Sequence, residues 1–105
     1  SHEAAAVLSR IGEPAVATLA GLLRREGAAR DAAWALGGIG AKAARAVPDL
    51  VAALEDKDPL VVSQAAWALG QVGPAAKDAL PALEKMQAHR VIVADAIRRI
   101  RGDPR

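Results

Sequence analysis

The sequence predicts an all-α fold, a right-handed α-solenoid of about three stacked helix pairs, and three observations predict it. The first is an internal repeat, the feature to seek before any other. Residues 31–40 read DAAWALGGIG and residues 64–73 read QAAWALGQVG, identical at seven of ten positions at an offset of 33. The second is apolar periodicity at helical spacing with no stretch that alternates as a strand would. The third is composition: alanine fills about a quarter of the 105 residues, Phe and Tyr are absent, and Ala, Leu and Arg favour helix.

The likeness continues past the central motif. Residues 43–50 (AARAVPDL) lie over residues 76–83, which aligns Pro48 with Pro81 and Leu50 with Leu83. Weaker copies flank these. Leu8, Ile11 and Gly12 match Leu36, Ile39 and Gly40, while Ile97 and Ile100 take the places of Leu69 and Val72. The whole chain therefore reads as one domain, with a partial unit at about 1–12 and units at about 13–40, 41–73 and 74–105. It opens inside a second helix (about 3–11) and closes on Gly102–Asp103–Pro104, which resembles the turn that starts another unit. That pattern is expected of a slice of a longer array.

Each unit holds two helical stretches. The first, about 45–55 in the central unit, aligns Val47, Leu50, Val51 and Leu54 on one stripe. Pro48 falls near its start, where a missing N–H has no internal acceptor to lose. The second, about 59–72, opens on Asp58–Pro59, an N-cap followed by proline at the first helical position. Val61, Ala65, Ala68, Leu69 and Val72 share its apolar face, and Gly73–Pro74 stops it. Gly37 and Gly70 recur at equal positions inside second helices. Mid-helix glycine costs about 1 kcal/mol against alanine, so its recurrence predicts close backbone approach between neighbouring helices. A pair of about 30 residues cannot bury its stripe alone, so the units must stack.

At these residues the chain resembles the HEAT-repeat family, in the short form also called PBS-lyase HEAT-like repeats. The resemblance is carried by DPLVVSQAAWALGQVGPAAKDALPAL at 58–83 and its echo DAAWALGGIGAKAARAVPDL at 31–50. The family pattern is Asp-Pro, a helix ending Ala-Leu-Gly-x-Ile-Gly, then a Pro-containing helix. The likeness is strong over 29–86 and loose at both ends. Two departures stand out: Gly27 replaces the Asp-Pro start, and the last pair turns within about Gln87–His89.

Helical-wheel placement singles out the two tryptophans. At 100° per residue the core-facing residues of the second helix fall within about 100° of arc, and Trp67 lies well outside it. Trp67 shares its face with Ser63, Gln64, Gly70 and Gln71; Trp34 shares its face with Arg30, Asp31 and Gly38. Carried along the repeat, one row reads Ala6, Trp34, Trp67, Asp95. Its neighbours read His2, Arg30, Ser63, Val91; Glu3, Asp31, Gln64, Ile92; and Arg10, Gly38, Gln71, Arg99. The resemblance implies that second helices line a concave inner surface. A Trp pair rimmed by Arg, Asp and Gln has the make-up of a protein-binding hot spot. The competing reading is that each indole packs over the small side chains of the next unit.

The candidate partner-binding set is Trp34, Trp67, Arg30, Asp31, Ser63, Gln64, Gln71, Asp95 and Arg99. The expected function is a non-enzymatic scaffold that binds a protein or peptide, in the cytoplasm. By resemblance, two alternatives follow. One is a bilin-lyase-like subunit whose indoles face a chromophore. The other is a nucleic-acid-binding HEAT-like module, against which Glu3, Asp31 and Asp95 interrupt any basic groove. The apolar residues Leu8 and Ile11 at one end, and Ile92, Val93, Ile97 and Ile100 at the other, leave end-to-end self-association as a further expectation.

Composition removes much of the remaining chemistry. Without cysteine there is no disulfide framework, thiolate metal site or thiol nucleophile. His2 and His89 are too few for a zinc site, and no carboxylate pair stands beside either at ligand spacing. No phosphate loop, nucleophile elbow or acid/base pair occurs, so no catalytic residue, metal or cofactor is expected. Fourteen Lys+Arg against 12 Asp+Glu give +2, too mild a charge to predict nucleic acid or an anionic membrane as partner. No apolar run approaches the roughly 18 residues of a membrane span. Arg98, Arg99, Arg101 and Arg105 read as a solvated helix end favoured by the macrodipole. Arg101–Gly102–Asp103 spells the integrin-binding tripeptide but fits an inter-repeat turn, and Glu55, Asp56 and Asp58 read as loop solvation plus one N-cap.

Overall fold

The computed structural model describes residues 13–86 and 90–102. Outside them lie the partial unit expected at about 1–12, with His2, Glu3, Ala6, Leu8, Arg10 and Ile11, and the turn holding His89. Arg105 and the last residue of the Arg-Gly-Asp triplet lie outside them too, and the side chain of Val91 is likewise not described.

Proline decides how each pair begins. A proline has no N–H and its ring clashes with the carbonyl four residues earlier, so an α-helix cannot run up to it from the N-terminal side. The chain uses 3-10 turns there instead, with bonds three residues apart. Short 3-10 runs at Glu13–Ala15, Gly40–Ala46 and Gly73–Ala79 lead into α1 (Val16–Leu22), α3 (Val47–Ala53) and α5 (Leu80–Glu84). Pro48 and Pro81 sit in the first turns of α3 and α5. The first helix expected over 45–55 is thus a shorter α-helix preceded by a 3-10 run. Its C-terminal residues continue as turns, Leu54 and Glu55 donating to Val51 and Ala52 at 3.1 Å each.

The second helices are α2 (Ala29–Ile39), α4 (Pro59–Val72) and α6 (Arg90–Arg101). The bounds of α4 are those read from its sequence. Asp58 has extended backbone (φ −86°, ψ 114°), and its Oδ1 accepts the Leu60 N–H at 2.9 Å, which caps the helix. Gly73, at φ +80°, ends it in the left-handed conformation that glycine adopts without a steric penalty. Where Gly27 stands in place of Asp-Pro, α2 starts differently. No side chain caps it, and the N–H groups of Ala28 and Ala29 both donate to the Arg25 carbonyl at 3.1 Å.

Two layers result. Second helices pack in sequence, α2 on α4 and α4 on α6, while α1, α3, α5 and the 3-10 runs form the other layer. No strand occurs among the described residues. The molecule is an all-α repeat solenoid. Its core is made mainly of alanine, leucine and valine: Leu19, Leu36, Leu50, Leu69, Leu83 and Val16 are sealed, interleaved with Ala32, Ala35, Ala65, Ala68, Ala76 and Ala79. Small side chains let the helices come close, and no polar or charged described residue is buried. Burial changes toward the last unit. Leu36 and Leu69 are fully buried, but Ile97, their counterpart in α6, is half-buried, and Leu80 is half-buried where Val47 is covered.

Candidate functional site

The glycines explain how the second helices meet. A methyl group built on Gly37 would overlap Cζ3 of Trp67 and lie 2.7 Å from its Cε3. The Trp67 ring therefore rests on the backbone of α2, in the space that a missing side chain leaves. At the equal position in α4, a methyl on Gly70 would lie 2.8 Å from the Ala96 Cα and 3.1 Å from its Cβ. Here the backbone of α6 itself fills the gap. The close approach expected from the recurring glycines is present at both junctions, once through an indole and once through main chain. Gly70 is buried as a result, although the wheel put it on the polar face. A wheel describes one isolated helix, and this part of the circumference is where α6 docks.

The predicted contact residues lie as follows. Trp34 and Trp67 are half-buried and pack against the core, neither sealed within it nor standing free. Asp31, Ser63, Gln64 and Gln71 are half-buried, whereas Arg30 and Arg99 are exposed. Asp95, in the row of the two tryptophans, accepts from Arg99 Nε at 2.7 Å and from Arg98 at 2.9 Å. Those spacings of three and four residues on one helix bring side chains together, a signal the sequence carried and the solvated-end reading passed over. Of the predicted set, Asp95 and Arg99 are brought into this direct pair.

The hydrogen bond from Arg99, helped by its charge and by Arg98, holds the Asp95 carboxyl below its ordinary value despite some desolvation. A depressed folded-state pKa means that the pair stabilises the fold above the unfolded carboxylate value near 3.9, and that this contribution is lost as pH falls through the lower folded value. The expected result is a carboxyl-carbon NMR titration for Asp95 with its midpoint below the usual aspartate range, moving upward in Arg99→Gln. An unchanged midpoint in that variant would remove Arg99 as the cause.

Sequence reading missed a cleft of about 430 Å³ between two turns, lined by residues 23–27, Asp56–Asp58, Ala29, Arg30 and Val61. The turns are far apart in the chain and adjacent only because the units stack, so local sequence gave no sign of it beyond their equal register. Two of its carboxylates already serve the backbone: Asp58 caps α4, and Asp56 accepts the Asp58 N–H at 2.8 Å. Nearby, Arg24 reaches Asp49 of α3 at 3.1 Å, and at the far end Arg101 reaches Glu84 of α5 at 2.7 Å. Among the described residues there is no cluster of His, Asp or Glu that could hold a metal ion, and no helix long and apolar enough to cross a membrane.

A family model of HEAT repeats matches residues 24–101, from the turn after α1 to the end of α6. No curated protein and no solved structure matches the chain. HEAT repeats generally mediate protein–protein interaction as scaffolds and are typically non-enzymatic. With its paired helices, its proline-led first helices and its glycine-seated second helices, matched over well over half its length, the chain belongs to the HEAT-repeat family.

Proposed function

We propose that the chain is a non-enzymatic interaction module that binds a protein or peptide across a concave face lined by α2, α4 and α6. The contact set is Trp34, Trp67, Arg30, Asp31, Ser63, Gln64, Gln71, Asp95 and Arg99. The observation that carries this reading is the pair of half-exposed indoles in a protein without other aromatic side chains. Trp67 is already held against Gly37. An indole fixed before binding loses little rotamer freedom when a partner covers it, which is the condition for a hot spot. Polar side chains beside it, Ser63, Gln64 and Gln71, supply donors and acceptors at the rim.

The test is selection of binders from a displayed library of random peptides on the full chain, followed by hydrogen exchange with the best binder bound. Protection is expected on α2, α4 and α6. With hot-spot residues worth about 2 kcal/mol or more each, Trp34→Ala with Trp67→Ala should weaken binding at least a hundredfold. The variant must remain helical by circular dichroism, since Trp67 also packs on α2. Protection confined to α1, α3 and α5, or full affinity in the double variant, would end the proposal.

A further inference from the structure

Gly37 and Gly70 mark the places where a second helix receives the next one, and the repeat carries the same place into α6 at Arg98. The register is fixed by burial: Val93, Ala96 and Ile100 are buried as Ala65, Ala68 and Val72 are. At both glycines even one added carbon collides with the incoming helix, at Gly70 with its backbone. Arg98 brings that carbon and a long charged side chain with it. The neighbouring positions change in the same sense. Asp95 replaces the tryptophan of the row, and its carboxylate holds Arg98 at 2.9 Å and Arg99 at 2.7 Å across the outer surface of α6.

We infer that α6 closes the layer of second helices: the Asp95–Arg98–Arg99 cluster is a polar cap that refuses a further helix pair, or a second copy of the chain, in the register joining α2, α4 and α6. Two independent features support it. The glycine seat is absent, so a following backbone cannot come as near as Ala96 comes to Gly70. Docking there would also break two short ion pairs and strip water from three charges, which costs more than the pairs contribute once desolvated. The half-buried Ile92 and Ile97 therefore lie beside a charged barrier rather than in a free apolar face. End-to-end growth through α6 is disfavoured for the same reason.

The test joins a copy of residues 40–73 directly after Ile100, the counterpart of Ile39 and Val72, so that a glycine opens the added unit at the place where Gly40 and Gly73 open the preceding ones. A helix pair that fails to stack cannot hold its own structure. With Arg98 in place, amides of the added unit should exchange nearly as fast as in an unstructured peptide. With Arg98→Gly they should slow by about a hundredfold or more, the behaviour of a stacked element. Arg98→Ala, which removes the charge and keeps one carbon, should give protection that falls between the other two, since a single methyl at the equal seats weakens docking without abolishing it. Protection of the added unit on the unmodified helix, protection with Arg98→Ala no greater than on the unmodified helix, or protection in none of the three overturns the cap. The converse needs no added unit: Gly70→Arg should release α6, and retained protection over residues 92–101 would overturn the inference equally.

Discussion

Leu69→Ala should lower the unfolding free energy by about 3–5 kcal/mol, the upper part of the range for truncating a sealed leucine. Leu69 is fully buried in the last turn of α4, the helix that packs on both α2 and α6. Ala65, Ala66 and Ala68 lie in the turn before it and are themselves buried, and short side chains cannot rotate into the space that the lost carbons leave. The cavity should therefore persist. Its register counterpart Ile97 is half-buried, so Ile97→Ala should cost only about 1–2 kcal/mol, in line with the smaller apolar area withdrawn from water. Urea denaturation with an unchanged slope measures both. Equal costs at the two positions would mean that burial does not fall away at the last unit.

Gly70→Ala sets two effects against each other, and their magnitudes decide the sign. In a free helix the change would stabilise by about 1 kcal/mol. Here the new methyl lies 2.8 Å from the Ala96 Cα, and a backbone cannot rotate aside as a side chain does. Overpacking of this kind costs about 1–3 kcal/mol, more as helices are pushed apart. The expected net result is destabilisation by up to about 2 kcal/mol, concentrated at α6, whose amide exchange should quicken most. Gly37→Ala meets the rim of the Trp67 ring instead, which a half-buried side chain can yield by turning outward. That variant should stay within about 1 kcal/mol of the parent while its tryptophan emission shifts to the red. A stabilised Gly70→Ala protein would show that α6 does not dock as closely as described.

Much of the fold was legible because each signal acts over a few residues. Asp58–Pro59 set the start of α4 through one side-chain bond and one missing N–H, and Gly73 set its end through a backbone angle. The apolar stripe of α4 and the recurring glycines followed from period and repeat alone. The 3-10 runs before α3 and α5 were also within reach, since Pro48 and Pro81 forbid an α-helix on their N-terminal side. The pairing of Asp95 with Arg98 and Arg99 was equally available from their spacing.

By itself the sequence determined the helical class, the repeat, the ends of α4 and its apolar stripe, all consequences of local geometry and water avoidance. The neighbour of each helix was decided only in three dimensions. Whether an indole or a main chain fills a glycine's gap, and whether a row of side chains opens to solvent or meets the next unit, depends on chains brought together by stacking. Trp67 on Gly37, Ala96 on Gly70 and the cleft between two distant turns are contacts of that kind. A helical wheel cannot supply them, because it contains a single helix and packing is a property of pairs.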